Sequence, residues 1–297
     1  MSTRTFSVVT PSYNQAEYLP DNLASVENQS HGDIQHIVLD GGSNDGSPEL
    51  IDDYAGRVDY DVHWRSEPDG GQSAAINEGF DRATGDVVGW LNSDDVYFDT
   101  SVFERVSEWF DRTGADVIYG DLAYVDDRSR VTELDVRPEF DRRKLAYRIL
   151  IGQPAVFFRN EVVKTHRLDT SLQFCMDYEY WLRISEEFDV RHVRDVFSGF
   201  RRHEQQKTED MDAVSVETED MLSRYRDSFG SSVGSTVLAN TYTEATRFVL
   251  SLYECLAVSA RPPELAFDGE IAPFTELLSN LGPSVADVRK AWRRRKS

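Results

Sequence analysis

The chain has 297 residues, enough to bury a sizeable core as one large domain or as one domain with an appendage. Its formal net charge of −21 excludes nonspecific binding to DNA or RNA, which needs a basic footprint to displace counterions from phosphates. No run approaches a membrane span, no charged-then-apolar leader precedes the first strand, and Cys175 and Cys255 give neither a metal spacing nor a disulfide framework, so a reducing cytoplasm is the expected location.

In chain order, strand-like runs at 6–10, 34–39, 61–65, 86–91 and 116–119 alternate with helical stretches near 15–28, 47–55, 72–84 and 100–113. That spacing predicts successive βαβ units: an α/β fold, Rossmann-like, with a mostly parallel sheet and helices on both faces. Beyond it, DLAYVDDRSRVTELDV at 121–136 predicts a hairpin turning at DDRS, and PAVFFR at 154–159 a further strand. Gln153 and Pro154 before that strand suit a loop bordering an acceptor cavity. DYEYWLRISEE at 177–187 puts Tyr178, Trp181, Leu182 and Ser185 on one helical face, with Asp177 in the first turn. Mixed helices are expected over 209–259. The organisation follows as residues 1–208 (halves 1–120 and 121–208) and a helical C-terminal extension at 209–297.

The charge has a texture of its own. Lysine is confined to Lys144, Lys164, Lys207, Lys290 and Lys296, and an acidic, lysine-poor surface is what a protein of a halophilic source carries, where molar salt screens self-repulsion over about 3 Å. Against that background RKAWRRRKS at 289–297 is a basic tail, able to touch anionic lipid headgroups at a membrane surface or to cap a helix C-terminus.

The most informative stretch is DVVGWLNSDDVY at 86–97, where an apolar strand runs into carboxylates with no basic residue beside them. Open α/β sheets bind ligands at the carboxyl ends of their strands, and hard oxygen ligands there suit Mg²⁺ or Mn²⁺ shared with a phosphate. NSDD is also ordinary turn and capping chemistry. Upstream, TPSYN at 10–14 places Thr10, Pro11 and Tyr13 after a strand, Tyr13 offering a ring for a base and Thr10 a polar group for its edge. DGGSNDGS puts Asp40 at the next strand end, with glycines that allow close backbone approach.

Together TFSVVTPSYNQAEYL, HIVLDGGSNDGSPELI, SEPDGGQSAAINEGFDRATGD and LNSDD resemble, in order, the four motifs of the family-2 inverting glycosyltransferases, over roughly residues 5–205. The resemblance implies a GT-A-type fold and a metal-dependent transfer, with inversion, from a UDP- or GDP-sugar to a hydroxyl of a glycan or lipid-linked glycan. It assigns Thr10, Pro11 and Tyr13 to the nucleobase pocket and Asp40 to a base N–H that uracil and guanine both offer. It lays Glu67, Asp69, Asn77, Asn92 and Ser93 along the donor. Asp94 matches the second acid of the family's D-x-D and becomes the metal ligand, while Asn92 stands where the first acid is usual. Asp95 is a helper or a helix cap.

The resemblance also aligns Asp177 with the general base, with Met176 in place of the family's Glu. FRRHEQQKT at 200–208 resembles its RxH segment, which makes His203 a metal partner and Arg201 and Arg202 neutralisers of the diphosphate. Two departures, Asn92 and Met176, motivate the competing reading of a nucleotide-sugar-binding protein without catalysis. A dinucleotide-dependent dehydrogenase would need G-x-G-x-x-G after the first strand, and TPSYN is not that.

Overall fold

The computed structural model describes residues 4–145, 148–203, 206, 211–225 and 250–280. Phe6–Ser12 (β1) and Ile34–Asp40 (β2) are buried almost throughout, as parallel strands covered on both faces are. Leu19–Glu27 (α1), Ser47–Arg57 (α2), Asp61–Ser66 (β3), Gln72–Arg82 (α3) and Val87–Trp90 (β4) continue the alternation. These four strands pair in parallel in the order β3-β2-β1-β4. Ser12, Asp40 and Ser66 are in register, so the loops that follow them open on one edge of the sheet.

The chain then departs from simple βαβ succession. Val96–Tyr97 (β5) and Val102–Thr113 (α4) lead to Val117–Val125 (β6), which forms the expected hairpin with Arg130–Asp135 (β7). Asp126 Oδ1 accepts from the backbone N–H groups of Arg128 and Arg130, closing the turn around Ser129 at φ 60°. After Arg142–Leu145 (α5) comes Val156–Arg159 (β8), which inserts antiparallel between β4 and β6. Asn160–Thr165 (α6), Met176–Ile184 (α7) and Val190–Arg201 (β9) follow, β9 running parallel to β6 and antiparallel to β5. The result is a mixed, mostly parallel sheet flanked by helices, in the order β10-β7-β6-β8-β4-β1-β2-β3, where β10 is Glu270–Ile271.

Strand alternation sorts the core. Val9, Val88, Val117 and Phe158 face α3 and α7, while Val8, Val87, Ile118 and Phe157 face α4. Gly79 lets α3 lie directly on β1, since a Cβ there would stand 2.2 Å from Val9 Cγ1.

Beyond 208, Met211–Tyr225 (α8) buries Met221 in the core of the α7 layer. Cys255, Val258, Phe267, Ala272 and Leu277 cover Val96, Phe98, Ala123 and Val131. The extension therefore packs on the sheet and adds a strand to it, besides its helices. Much of its expected helical stretch (226–249) and the basic tail at 289–297 lie outside the described residues. No described helix is long and apolar enough to cross a membrane.

Candidate active site

The strand ends surround a cavity of about 640 Å³. Pro11, Ser12, Tyr13 and Gly41 form one wall, Pro68 to Gln72 a second, and the exit of β4 from Asn92 to Asp95 the floor. Gln153, Phe200, Gln206 and the segment Gln173–Asp177 that enters α7 complete it. Its charged lining is entirely acidic among the described residues: Asp69, Asp94, Asp95 and Asp177. No lysine or arginine is among the described residues that line it.

Asp94 Oδ2 lies 3.1 Å from His203 Nε2, and the imidazole is buried against the Tyr18 ring. The pair fits a divalent ion, because bonds of about 2.1 Å at right angles put neighbouring ligand atoms about 3 Å apart. No third His, Cys, Asp or Glu among the described residues joins them. Asp95 is buried beside Asp94. Burial and that neighbouring charge hold its carboxyl well above the usual carboxylate range, despite the backbone N–H of Arg201 donating to Oδ1.

Asn92 is fixed by an amide network. Trp90 Nε1 donates to Asn92 Oδ1 at 2.9 Å and Gln72 Nε2 donates to the same oxygen at 3.0 Å. Asn92 Nδ2 donates to Gln153 Oε1 at 2.9 Å, and Gln153 Nε2 to the Trp90 carbonyl at 2.7 Å. An indole N–H can only donate and a carbonyl can only accept, so both amide orientations are determined.

Asp177 sits in the first turn of α7, half-buried, with Oδ1 accepting the Tyr178 N–H at 2.7 Å. Burial pushes its carboxyl up to about 6, against that hydrogen bond. Met176 is packed inward, and Ser73 Oγ donates to its sulfur at 2.9 Å.

The remaining expected site residues divide. Tyr13 is 62% exposed at the cavity mouth, and Pro11, Asp69, Asn92 and Ser93 line the cavity. Thr10 lies beneath it, its hydroxyl meeting His36 Nε2 at 3.0 Å. Burial drives that imidazole down to about 3, so it is neutral. Asp40 is fully buried just behind the wall, where its carboxylate accepts from the N–H groups of Gly42 and Ser43 and from the Ser43 and Ser66 hydroxyls. Those bonds shape the turn, and Gly42 at φ +84° completes it. Three expected donor contacts lie outside the cavity lining. Asn77 exchanges hydrogen bonds with the backbone of Leu168, Glu67 is exposed beside Arg65, and Arg202 lies over the Tyr124 ring and pairs with Glu133.

Arg201, expected to meet a diphosphate, is 1% exposed and has no free face for one. Its guanidinium donates to the carbonyls of Asp94 and Asp126, to Ser129 Oγ and to Asp21, tying the acidic loop to the β6–β7 hairpin. The reason is geometric: at the end of β9 this side chain is enclosed between Tyr18, α1, the acidic loop and the hairpin turn.

Fold and site together define an α/β protein with an acid-lined cavity at the carboxyl edge of its sheet. The family model for glycosyl transferase family 2 matches residues 7–175, and the chain belongs to that family. A PGL/p-HBAD biosynthesis glycosyltransferase of Mycobacterium bovis is 28% identical over 56% of this chain and 63% of its own length. The chain thus spans less than two thirds of that relative. An uncharacterized glycosyltransferase of Mycobacterium tuberculosis is 32% identical over 67% of this chain and 76% of its own. Among solved structures, S. aureus TarS with UDP-GlcNAc superposes with TM-score 0.57 at 18% identity, over 72% of this chain and 66% of that one. A mannosyltransferase of Pyrobaculum calidifontis, with GDP-Man and Mn²⁺, gives TM-score 0.61 at 14% identity over 99% and 83%. The fold is accordingly GT-A-like.

Proposed function

We propose that this glycosyltransferase is metal-dependent and inverting, moving a sugar from a UDP- or GDP-sugar to a hydroxyl of a glycan or lipid-linked glycan. One observation carries the reading. A single cavity is lined both by Asp94, with His203 buried behind it, and by a half-buried carboxyl held near 6, and its described charged lining has no cation. Asp94 and His203 would hold Mg²⁺ or Mn²⁺, which supplies the positive charge the diphosphate needs. Tyr13 at the mouth offers a ring to the base, and the amide-bound Asn92 and Gln72 form a neutral floor.

Asp177 is the base. The acceptor oxygen forms its bond to the anomeric carbon as the carbon–oxygen bond to the diphosphate breaks, and the hydroxyl proton passes to Asp177. A carboxyl near 6 suits the work, being ionised at neutral pH yet more basic than a solvated one. Phe174, Phe200, Gln153 and Gln206 border the same cavity without charge, which favours a neutral hydroxyl-bearing acceptor. The reading as a binding protein without catalysis loses its motive, because Met176 is a core residue and Asn92 is built into a complete network. A cytoplasmic location, at the membrane face through the basic tail, accords with a lipid-linked acceptor.

A thermal-shift panel of UDP- and GDP-sugars with and without Mn²⁺ tests the proposal, since a ligand of the native state raises apparent stability by mass action. Stabilisation by one nucleotide class only when Mn²⁺ is present is expected. Metal-independent stabilisation, or none with any donor, overturns it.

A further inference from the structure

The segment that delivers Asp177 to the cavity is held from outside the family-matched region. Glu217, on α8, accepts three successive backbone N–H groups: Gln173 at 2.7 Å, Phe174 at 2.6 Å and Cys175 at 2.9 Å. Four residues on, Met221 is fully buried in the core layer that contains Met176, Tyr178 and Trp181. Four further on, the Tyr225 hydroxyl donates to Glu179 Oε1 at 2.5 Å, and Glu179 pairs with Arg183 at 2.8 Å. Positions 217, 221 and 225 share one face of α8, so a single helix face holds the entry to α7, its buried side and Glu179 in its first half.

We infer that Glu217 is a positioning residue for the transfer reaction, fixing the entry to α7 so that Asp177 meets the acceptor hydroxyl. The inference rests on the glycosyltransferase mechanism proposed above. Gln173 and Phe174 themselves line the cavity, so the three bonds set its acceptor wall as well as the first turn of α7. An ionised carboxylate at these N–H groups also complements the positive end of the helix. Without it, three successive backbone donors lose their partner together, and the loop opens further to water.

The test compares Glu217→Ala and the milder Glu217→Gln with the unaltered 297-residue chain. Amide hydrogen exchange at 173–175 reports the clamp, and calorimetry with UDP and with GDP plus Mn²⁺ reports the nucleotide site. Nucleotide release from UDP-glucose, UDP-GlcNAc and GDP-mannose, with water as acceptor, reports the chemistry. In Glu217→Ala the amides lose protection, nucleotide affinity stays near wild type, and release falls on the order of 10²-fold, the effect of a misplacement of about 1 Å. Its pH midpoint also moves below the wild-type value, because water reaching Asp177 relieves the burial that raises it. Glu217→Gln, with one accepting oxygen left, falls between, and remains informative if the alanine variant does not fold.

Wild-type protection of the amides in both variants overturns the clamp. Lost protection with unchanged release and pH midpoint overturns the positioning role, leaving Glu217 a structural cap. A wild-type chain that binds nucleotide but releases none from any donor refutes the catalytic mechanism and the positioning role with it, whereas the exchange data, which need no turnover, judge the clamp separately.

Discussion

Replacing Asn92 by Asp restores the acid usual in the family, and on charge alone it should tighten a divalent ion. The amide network says otherwise for the metal-free protein. Oδ1 must stay toward Trp90 Nε1, so the substitution sets a carboxylate oxygen where Nδ2 now donates to Gln153 Oε1 at 2.9 Å. If Gln153 rotates its amide to answer, its own oxygen confronts the Trp90 carbonyl in place of a 2.7 Å hydrogen bond. Either arrangement loses one partly buried bond and strands an acceptor, at about 1–3 kcal/mol. For a chain of this size that is a fall in Tm of roughly 2–5 °C. The measurement is scanning calorimetry in a chelating buffer of wild type, Asn92→Asp, Gln153→Ala and the double variant. Removing Gln153 first takes away the clash, so the cycle should show a coupling of at least about 0.5 kcal/mol. Mn²⁺ should restore part of the loss by meeting the new charge. A metal-free Asn92→Asp chain that melts with the wild type, or strict additivity with Gln153→Ala, refutes the argument.

Asp94→Ala should abolish Mn²⁺-dependent nucleotide binding while leaving β4 intact; calorimetry with UDP and GDP checks it, and unchanged affinity removes Asp94 from the metal site. Asp177→Asn keeps the shape and loses the base, so single-turnover transfer should drop on the order of 10²–10⁴-fold with donor affinity nearly constant. In the wild type, the Asp177 carboxyl near 6 predicts activity lost as pH falls through about 6 and level above it; a profile flat down to pH 4.5 contradicts this. The same raised value means that ionised Asp177 costs the fold stability at pH above about 6, a cost that vanishes below its unfolded value near 3.9. Asp177→Asn should therefore raise Tm at pH 8 more than at pH 4, and equal shifts at both count against the burial. Finally, a net charge of −21 predicts that Tm rises from dilute buffer to molar KCl, and a maximum in dilute buffer is the opposing result.

The first four strands and their helices were legible because each carries its period in its own residues. β8 was legible as a strand but not in its place: VFFR announces burial on both faces and nothing about direction, so its antiparallel insertion between β4 and β6 is decided by partners distant in sequence. β9 was obscured by polar residues alternating through RHVRD, and β10 by its two-residue length. In the site, carboxylates at strand ends could be found because topology alone puts such ends at the ligand edge. Arg201 and Asn77 misled because residue type suggests a ligand contact while only the packed structure shows that their polar atoms are committed. Gln153 stood out as a cavity border without a chemical reason, and its partners, Asn92 and the Trp90 carbonyl, lie about sixty residues away. Glu217 carries no signal in the sequence, being one acid among many on a polar helix.

The cavity and the whole molecule pose the same electrostatic problem at two scales. Over the surface, excess negative charge is diffuse and free ions can screen it within a Debye length. Inside the cavity the acids are fixed and partly buried, where screening is weak, so diffuse salt cannot admit a diphosphate. The described structure answers locally with two devices that remove charge rather than screen it: Asp95 is held toward its protonated form, and Asn92 stands neutral where an acid is usual. The remaining acid at the floor is Asp94, already beside His203. One bound divalent cation would then convert the floor from repelling a diphosphate to attracting it. Salt in the bulk and metal in the site should accordingly act separately, KCl raising stability in an Asp94→Ala chain as much as in the wild type while nucleotide binding stays absent.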